Sequence, residues 1–76
     1  MEKEMNYVTV FVFLKSGNML EYNFETINKM CDYEVYELMG RVASDYMEVI
    51  TDEHGYPELR CKSATGFCIQ RMIKKS

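Results

Sequence analysis

The chain has 76 residues, a length that fits one small domain and leaves no room for a second. Its net charge of −3 and its pI of about 5.0 argue against a nucleic-acid-binding domain, because such domains are usually basic. No apolar run approaches the roughly 20 residues that a membrane-spanning helix needs, and the charged beginning differs from a secretion signal. We therefore expect a cytoplasmic protein.

The first third of the chain predicts a β-hairpin. Residues 7–14 read YVTVFVFL and are β-branched or aromatic almost throughout, which is typical of a strand. Gly17 and Asn18 suit a turn, because both residue types tolerate a positive φ angle. In the segment MLEYNFE that follows, apolar and polar side chains alternate as they do in a second strand. The apolar positions on one face of that strand are Leu20, Tyr22 and Phe24.

The middle of the chain changes to a helical period. Apolar side chains recur at steps of three and four residues, which indicates one face of a helix. We predict a helix over residues 32–44 with Asp32 as its N-cap, and a beginning as early as Ile27 stays open. The apolar stripe consists of Cys31, Val35, Leu38, Met39, Val42 and Tyr46.

The last third predicts three further strands. YMEVIT and ELRCK flank a turn that contains Gly55 and Pro57, and GFCIQRMIKK either forms a separate strand or continues the previous one as a long bent strand. The predicted order is β-β-α-β-β-β. The fold class is α+β, a small, mostly antiparallel, twisted sheet with one helix packed on one face, and we expect a single compact domain over residues 1–76.

Motifs that would indicate chemistry are weak. KSATG lacks the spacing of a phosphate-binding loop. Cys31, Cys61, Cys68 and His54 follow no zinc-binding pattern, so we expect no metal and no cofactor, and we assign the three thiols to the core as small apolar side chains. His54 lies in the turn DEHG, where the spacing to the cysteines gives no sign of a nucleophile–base pair. We expect no catalytic residue.

Charge divides the chain unevenly. Residues 21–58 hold ten acidic and two basic residues, whereas residues 59–76 hold five basic residues and no acidic one. On the predicted helix, two tyrosines and a glycine fall on the side away from the apolar stripe, beside two glutamates. Tyrosine is favoured at protein interfaces, so this side predicts a partner-binding surface, although the tyrosines could instead pack on loops of their own chain. The predicted surface consists of Tyr33, Glu34, Tyr36, Glu37 and Gly40.

The first strand predicts self-association. It is apolar on both faces, whereas a strand of a single-faced antiparallel sheet alternates with polar residues. One helix covers only one face of a sheet, so we predict a symmetric homodimer, formed sheet on sheet or by strand pairing, with Phe11, Phe13 and Tyr22 near the contact. The competing interpretation is that the N-terminal residues and the final strand fold back over the second face.

Together these features predict a non-enzymatic binding or regulatory module that acts as a homo-oligomer or on a protein partner, without membrane or nucleic acid. Two alternatives stay open. One is an inhibitor encoded by a phage or mobile element, whose acidic face imitates nucleic acid. The other is a binder of a small ligand such as a nucleotide, with a pocket between protomers. An enzyme is the weakest hypothesis.

Overall fold

The computed structural model describes residues 4–75. The elements are β1 (Glu4–Leu14), β2 (Met19–Thr26), α1 (Asp32–Val42), β3 (Met47–Thr51), β4 (Pro57–Cys61) and β5 (Ala64–Lys75). The predicted α+β fold and its order β-β-α-β-β-β are confirmed. The strands form two antiparallel sheets rather than one, a three-stranded sheet of order β2-β1-β5 and a two-stranded sheet of β3 and β4. No helix within the described residues is long and apolar enough to cross a membrane.

β1 is the central strand of the three-stranded sheet. The β1–β2 turn closes through Gly17, whose φ of 92° lies in a region that glycine enters without a Cβ clash. The register places Val10 opposite Tyr22 of β2 and Ile69 of β5. Side chains at these paired positions share one face of the sheet, because residues that face each other in an antiparallel pair point the same way.

The core lies on this face of the sheet. Val8, Val10 and Val12 of β1 are at most 2% exposed. α1 and the β3–β4 hairpin cover them, and burial of such side chains stabilises the fold by about 1.5–3 kcal/mol each. The other buried side chains of the core are Met30, Val35, Met39, Ala43, Met47, Leu59 and Ala64.

The helix begins at Asp32, as predicted, so the earlier beginning at Ile27 is wrong, and Ile27 is 61% exposed. It ends at Val42, before the predicted end at residue 44. The N-cap is Cys31 rather than Asp32, because Cys31 has extended backbone angles and its N–H donates to the Glu34 carboxylate at 3.3 Å. Val42 was predicted on the buried stripe but is 49% exposed. The buried stripe runs instead through Val35, Met39 and Ala43.

Two of the three thiols lie outside the core. Cys31 and Cys68 are exposed, and Cys61 is half-buried against the core. The prediction of core positions is therefore wrong for Cys31, which precedes the helix as its cap, and for Cys68. Cys68 pairs with Phe11, on the opposite side of the sheet from Val10.

Arg71 of β5 ties the three-stranded sheet to the beginning of α1. It lies opposite Val8 on the covered face. Its guanidinium donates to the Met30 carbonyl at 2.7 Å and to the Asp32 carboxylate at 2.6 Å. Arg71 is thus engaged within the fold and does not belong to a free basic surface.

Candidate interaction surface

The three-stranded sheet has a second face, which we call the open face, on the side away from α1. No helix or strand formed by residues 4–75 lies over it. Its side chains alternate with those of the core along each strand. The apolar members of the open face are Met5, Tyr7, Phe11, Phe13, Met19, Cys68 and Met72.

Several of these apolar side chains are exposed to solvent. Phe13 is 40% exposed, Met19 53% and Met72 56%. Tyr7 and Phe11 are half-buried by their neighbours on the same face. Three strands spaced by about 4.8 Å give this face a width of about 14 Å. The open face therefore presents aromatic and thioether groups to whatever lies above the sheet.

The dimensions of the molecule correspond to two packed layers of secondary structure. Its dimensions along the principal axes are 44 × 34 × 15 Å, as expected for two packed layers and not three. The accessible surface is 5527 Å², whereas a compact monomer of this mass exposes about 4,900 Å².

A polar row crosses the middle of the open face. It consists of Asn23 on β2, Thr9 on β1 and Gln70 on β5, which the register aligns. The Thr9 hydroxyl donates to Asn23 Oδ1 at 2.8 Å, and Asn23 Nδ2 donates to the Glu21 carboxylate at 2.9 Å. These hydrogen bonds orient the Thr9 and Asn23 side chains, and the row divides the apolar surface into two halves.

Opposite charges lie on opposite edges of the open face. Glu21 and Glu25 belong to β2, where they pair with Phe11 and Tyr7 of β1. Lys74 belongs to β5, and its Nζ lies 5.6 Å from the centre of the Tyr7 ring, within the range of a cation–π contact. The β2 edge is therefore acidic, and the Tyr7 end of the β5 edge is basic.

The structure separates the residues that were predicted at the oligomer contact. Phe11 and Phe13 lie on the open face, but Tyr22 pairs with Val10 and packs against the core on the other face. The sequence gives the alternation along β2 but not its register against β1, which decides the face. Met72 and Cys68 on the open face were missed, although their alternation with Ile69 along β5 was a usable signal.

The residues predicted to bind a partner lie where α1 meets the β3–β4 hairpin. Tyr36 packs against the core. A Cβ added at Gly40 would lie 2.8 Å from Val49 Cγ2, so the close approach that this glycine permits is to its own chain. Glu34 accepts the capping hydrogen bond from Cys31.

Three members of that predicted surface are exposed, namely Tyr33, Glu34 and Glu37. Tyr33 is 45% exposed and stacks on Tyr56 of the β3–β4 turn, with ring centres 6.2 Å apart. Glu37 is exposed one helical turn beyond Tyr33. This side of the molecule thus offers a pair of stacked tyrosine rings beside acidic side chains.

His54 is a solvent-exposed turn residue. It lies in the β3–β4 turn, where its side chain is 71% exposed and its Nε2 is 3.5 Å from Glu53 Oε1. The Asp52 carboxylate accepts the N–H groups of His54 and Tyr56 at 2.8 and 2.9 Å, which is the work of a turn-forming residue. Within the described residues, no three His, Cys, Asp or Glu side chains are grouped to hold a metal ion.

Comparison of the chain with protein-family models, with curated proteins and with solved structures finds no match. The open face has apolar groups, a row of amide and hydroxyl side chains, and charges of opposite sign at opposite edges. Together these features suit contact with another folded surface.

Proposed function

We propose that this chain is a non-enzymatic interaction module that forms a homodimer through its open face. The observation that carries the proposal is the exposure of Phe13, Met19 and Met72 on one side of the sheet. Burying a side chain of this size is worth about 1.5–3 kcal/mol, and exposed apolar patches rimmed by polar residues mark interaction sites.

Fold-back of the final strand does not account for this surface. β5, the final strand, pairs with β1 inside the sheet, so it is not available to cover the open face. The part of the fold-back interpretation that concerns residues 1–3 lies outside the described residues.

A second copy suits this surface better than strand pairing. Stacked sheets about 10 Å apart interdigitate the side chains of both inner faces, which would bury the aromatic and methionine groups of each copy at once. Pairing through the β2 edge would leave those groups exposed. Charged side chains such as Glu21 and Glu25 on an edge strand also oppose edge-to-edge pairing.

The test is the mass of the protein in solution at micromolar concentration, measured by light scattering. We expect twice the 9.0 kDa of the single chain. Phe11→Lys should give the monomer, because a two-fold interface through β1 would bring two added charges together. Val42→Lys, at an exposed position of α1, is the matched control and should stay dimeric.

Circular dichroism should show the same secondary structure for Phe11→Lys, Val42→Lys and the unchanged protein. A mass of one chain for the unchanged protein would contradict the proposal. Dimers that persist in a folded Phe11→Lys protein would also contradict it, because the contact would then lie elsewhere.

A second candidate function is capture of a basic protein partner, as in the inhibitor hypothesis. The stacked rings of Tyr33 and Tyr56 beside exposed acidic side chains favour it, since aromatic faces and carboxylates both attract cations. Glu37→Lys combined with Glu53→Lys should abolish binding of an Arg-rich peptide if this surface is the site. Glu34 should be left intact, because it caps α1.

A further inference from the structure

The charged side chains of the open face favour one orientation of two copies over another. Two identical sheets that stack face to face with their strands aligned are related by a two-fold axis that lies between them and runs either along β1 or across the strands. The two arrangements bring different edges together. The charges of the open face distinguish them.

An axis across the strands places β2 over the partner's β2 and reverses the order of the rows. With Thr9 at the centre, the row that contains Phe11 lies over the row that contains Tyr7. Glu21 and Glu25 occupy the β2 positions of these two rows. Each Glu21 would therefore face the partner's Glu25, and like charges that face each other disfavour association.

An axis along β1 keeps the order of the rows and exchanges the edges, so that β2 lies over the partner's β5. Glu25 then lies over the partner's Met72. Lys74 is the next residue of the partner's β5 on the same face. Because Lys74 already extends over the open face towards Tyr7, its ammonium group is within reach of the partner's Glu25. Symmetry produces this ion pair twice.

The polar row and the aromatic residues are also matched in this arrangement. Asn23 lies over the partner's Gln70, and each of the two amides both donates and accepts hydrogen bonds. Phe11 and Phe13 of β1 lie near the axis and face their own copies, where aromatic rings gain from offset or edge-to-face packing. No polar group of the row would then be buried opposite an apolar surface alone.

We propose that the homodimer has its two-fold axis along β1, with Glu25 of each protomer paired with Lys74 of the other. This inference rests on the proposed function, because it concerns the same face and requires that the dimer forms. It assigns Glu25 and Lys74 the role of selecting one orientation of two otherwise similar sheets.

The test is a charge exchange measured by sedimentation equilibrium. Glu25→Lys alone and Lys74→Glu alone should each raise the dimer dissociation constant about tenfold, because each change affects two interfacial pairs. The double variant with both changes should return to within about threefold of the unchanged protein. Glu58→Lys, at an exposed position of β4, is the control with the same change in net charge as Glu25→Lys.

Net charge alone predicts the opposite result for Glu25→Lys, because it lowers the repulsion between two acidic chains. The across-strand arrangement also predicts tighter binding, since the change would place a lysine opposite a glutamate. Glu25→Lys that strengthens the dimer, or a double variant that is no better than the singles, would overturn the inferred axis while the dimer itself stands. An unchanged protein that is monomeric would overturn the dimer and the axis together.

Discussion

At the scale of single residues, Gly40 shows how closely α1 approaches the β3–β4 hairpin. Glycine inside a helix costs about 1 kcal/mol relative to alanine, so its presence needs a reason. The reason is Val49, whose Cγ2 would lie 2.8 Å from an added Cβ. Valine has little freedom at χ1 and cannot easily turn away.

We therefore expect Gly40→Ala to destabilise the protein by about 1–2 kcal/mol, since the overpacking of a tight contact outweighs the gain in helix propensity. Urea unfolding at a fixed protein concentration measures the change. Combining Gly40→Ala with Val49→Ala should remove the clash, so that the double variant is no less stable than Val49→Ala alone. A single Gly40→Ala variant that is more stable than the unchanged protein would show that the contact is not tight.

The rate at which the Cys68 thiol is alkylated can be used to test whether the open face is buried in a dimer. Cys68 and Cys31 are both exposed in the single chain, but only Cys68 lies on the open face. Dimerisation should therefore slow the alkylation of Cys68 in proportion to the fraction of dimer, while Cys31 reacts at a constant rate and acts as the internal control. Mass spectrometry of iodoacetamide-treated protein over a range of concentrations follows both thiols. An alkylation rate of Cys68 that does not change with protein concentration would count against burial of the open face.

At the scale of the elements, Arg71 connects β5 to the beginning of α1. Its two hydrogen bonds reach the Met30 carbonyl and the Asp32 carboxylate. The ion pair with Asp32 is partly exposed and therefore worth little, so most of the stabilisation comes from the bond to the Met30 carbonyl and from the aliphatic stem that packs on the sheet.

Arg71→Met should keep the packing of the stem and lose both hydrogen bonds, at a cost of about 1–2 kcal/mol. Because the bonds lie at the beginning of α1, hydrogen exchange of the first-turn amides should accelerate more than exchange in β1. Arg60→Met removes an exposed arginine of β4 and serves as the control, with no effect on α1. Exchange in α1 that is unchanged by Arg71→Met would mean that other contacts hold the helix.

The same elements separate what sequence could predict from what it could not. Strand and helix periods are local, so YVTVFVFL and the recurrence from Val35 to Met39 were sufficient to predict β1 and α1. The face of Tyr22 depends on register, and the division of the strands between two sheets depends on long-range pairing. Neither the register nor the division between two sheets can be read from the local sequence pattern. The exposure of Cys31 follows from its position as a cap, which its residue type does not signal.

At the scale of the whole molecule, the described residues form two packed layers. α1 and the β3–β4 hairpin cover one face of the three-stranded sheet. On the open face, Phe13, Met19 and Met72 are 40–56% exposed, whereas the core valines of β1 are at most 2% exposed. We propose that a second copy of the chain covers the open face.

The most direct test of this account is an isotope-filtered NOE spectrum of a sample that mixes labelled and unlabelled protein. We expect intermolecular NOEs among the Phe11 and Phe13 rings, and between the methyl groups of Met19 and Met72 and open-face protons of the other copy. No intermolecular NOE should involve Tyr33 or Val42, which lie on the other side of the molecule. Intermolecular NOEs confined to Tyr33 and its neighbours, or none at concentrations well above the dissociation constant, would contradict the claim that the open face is the dimer interface.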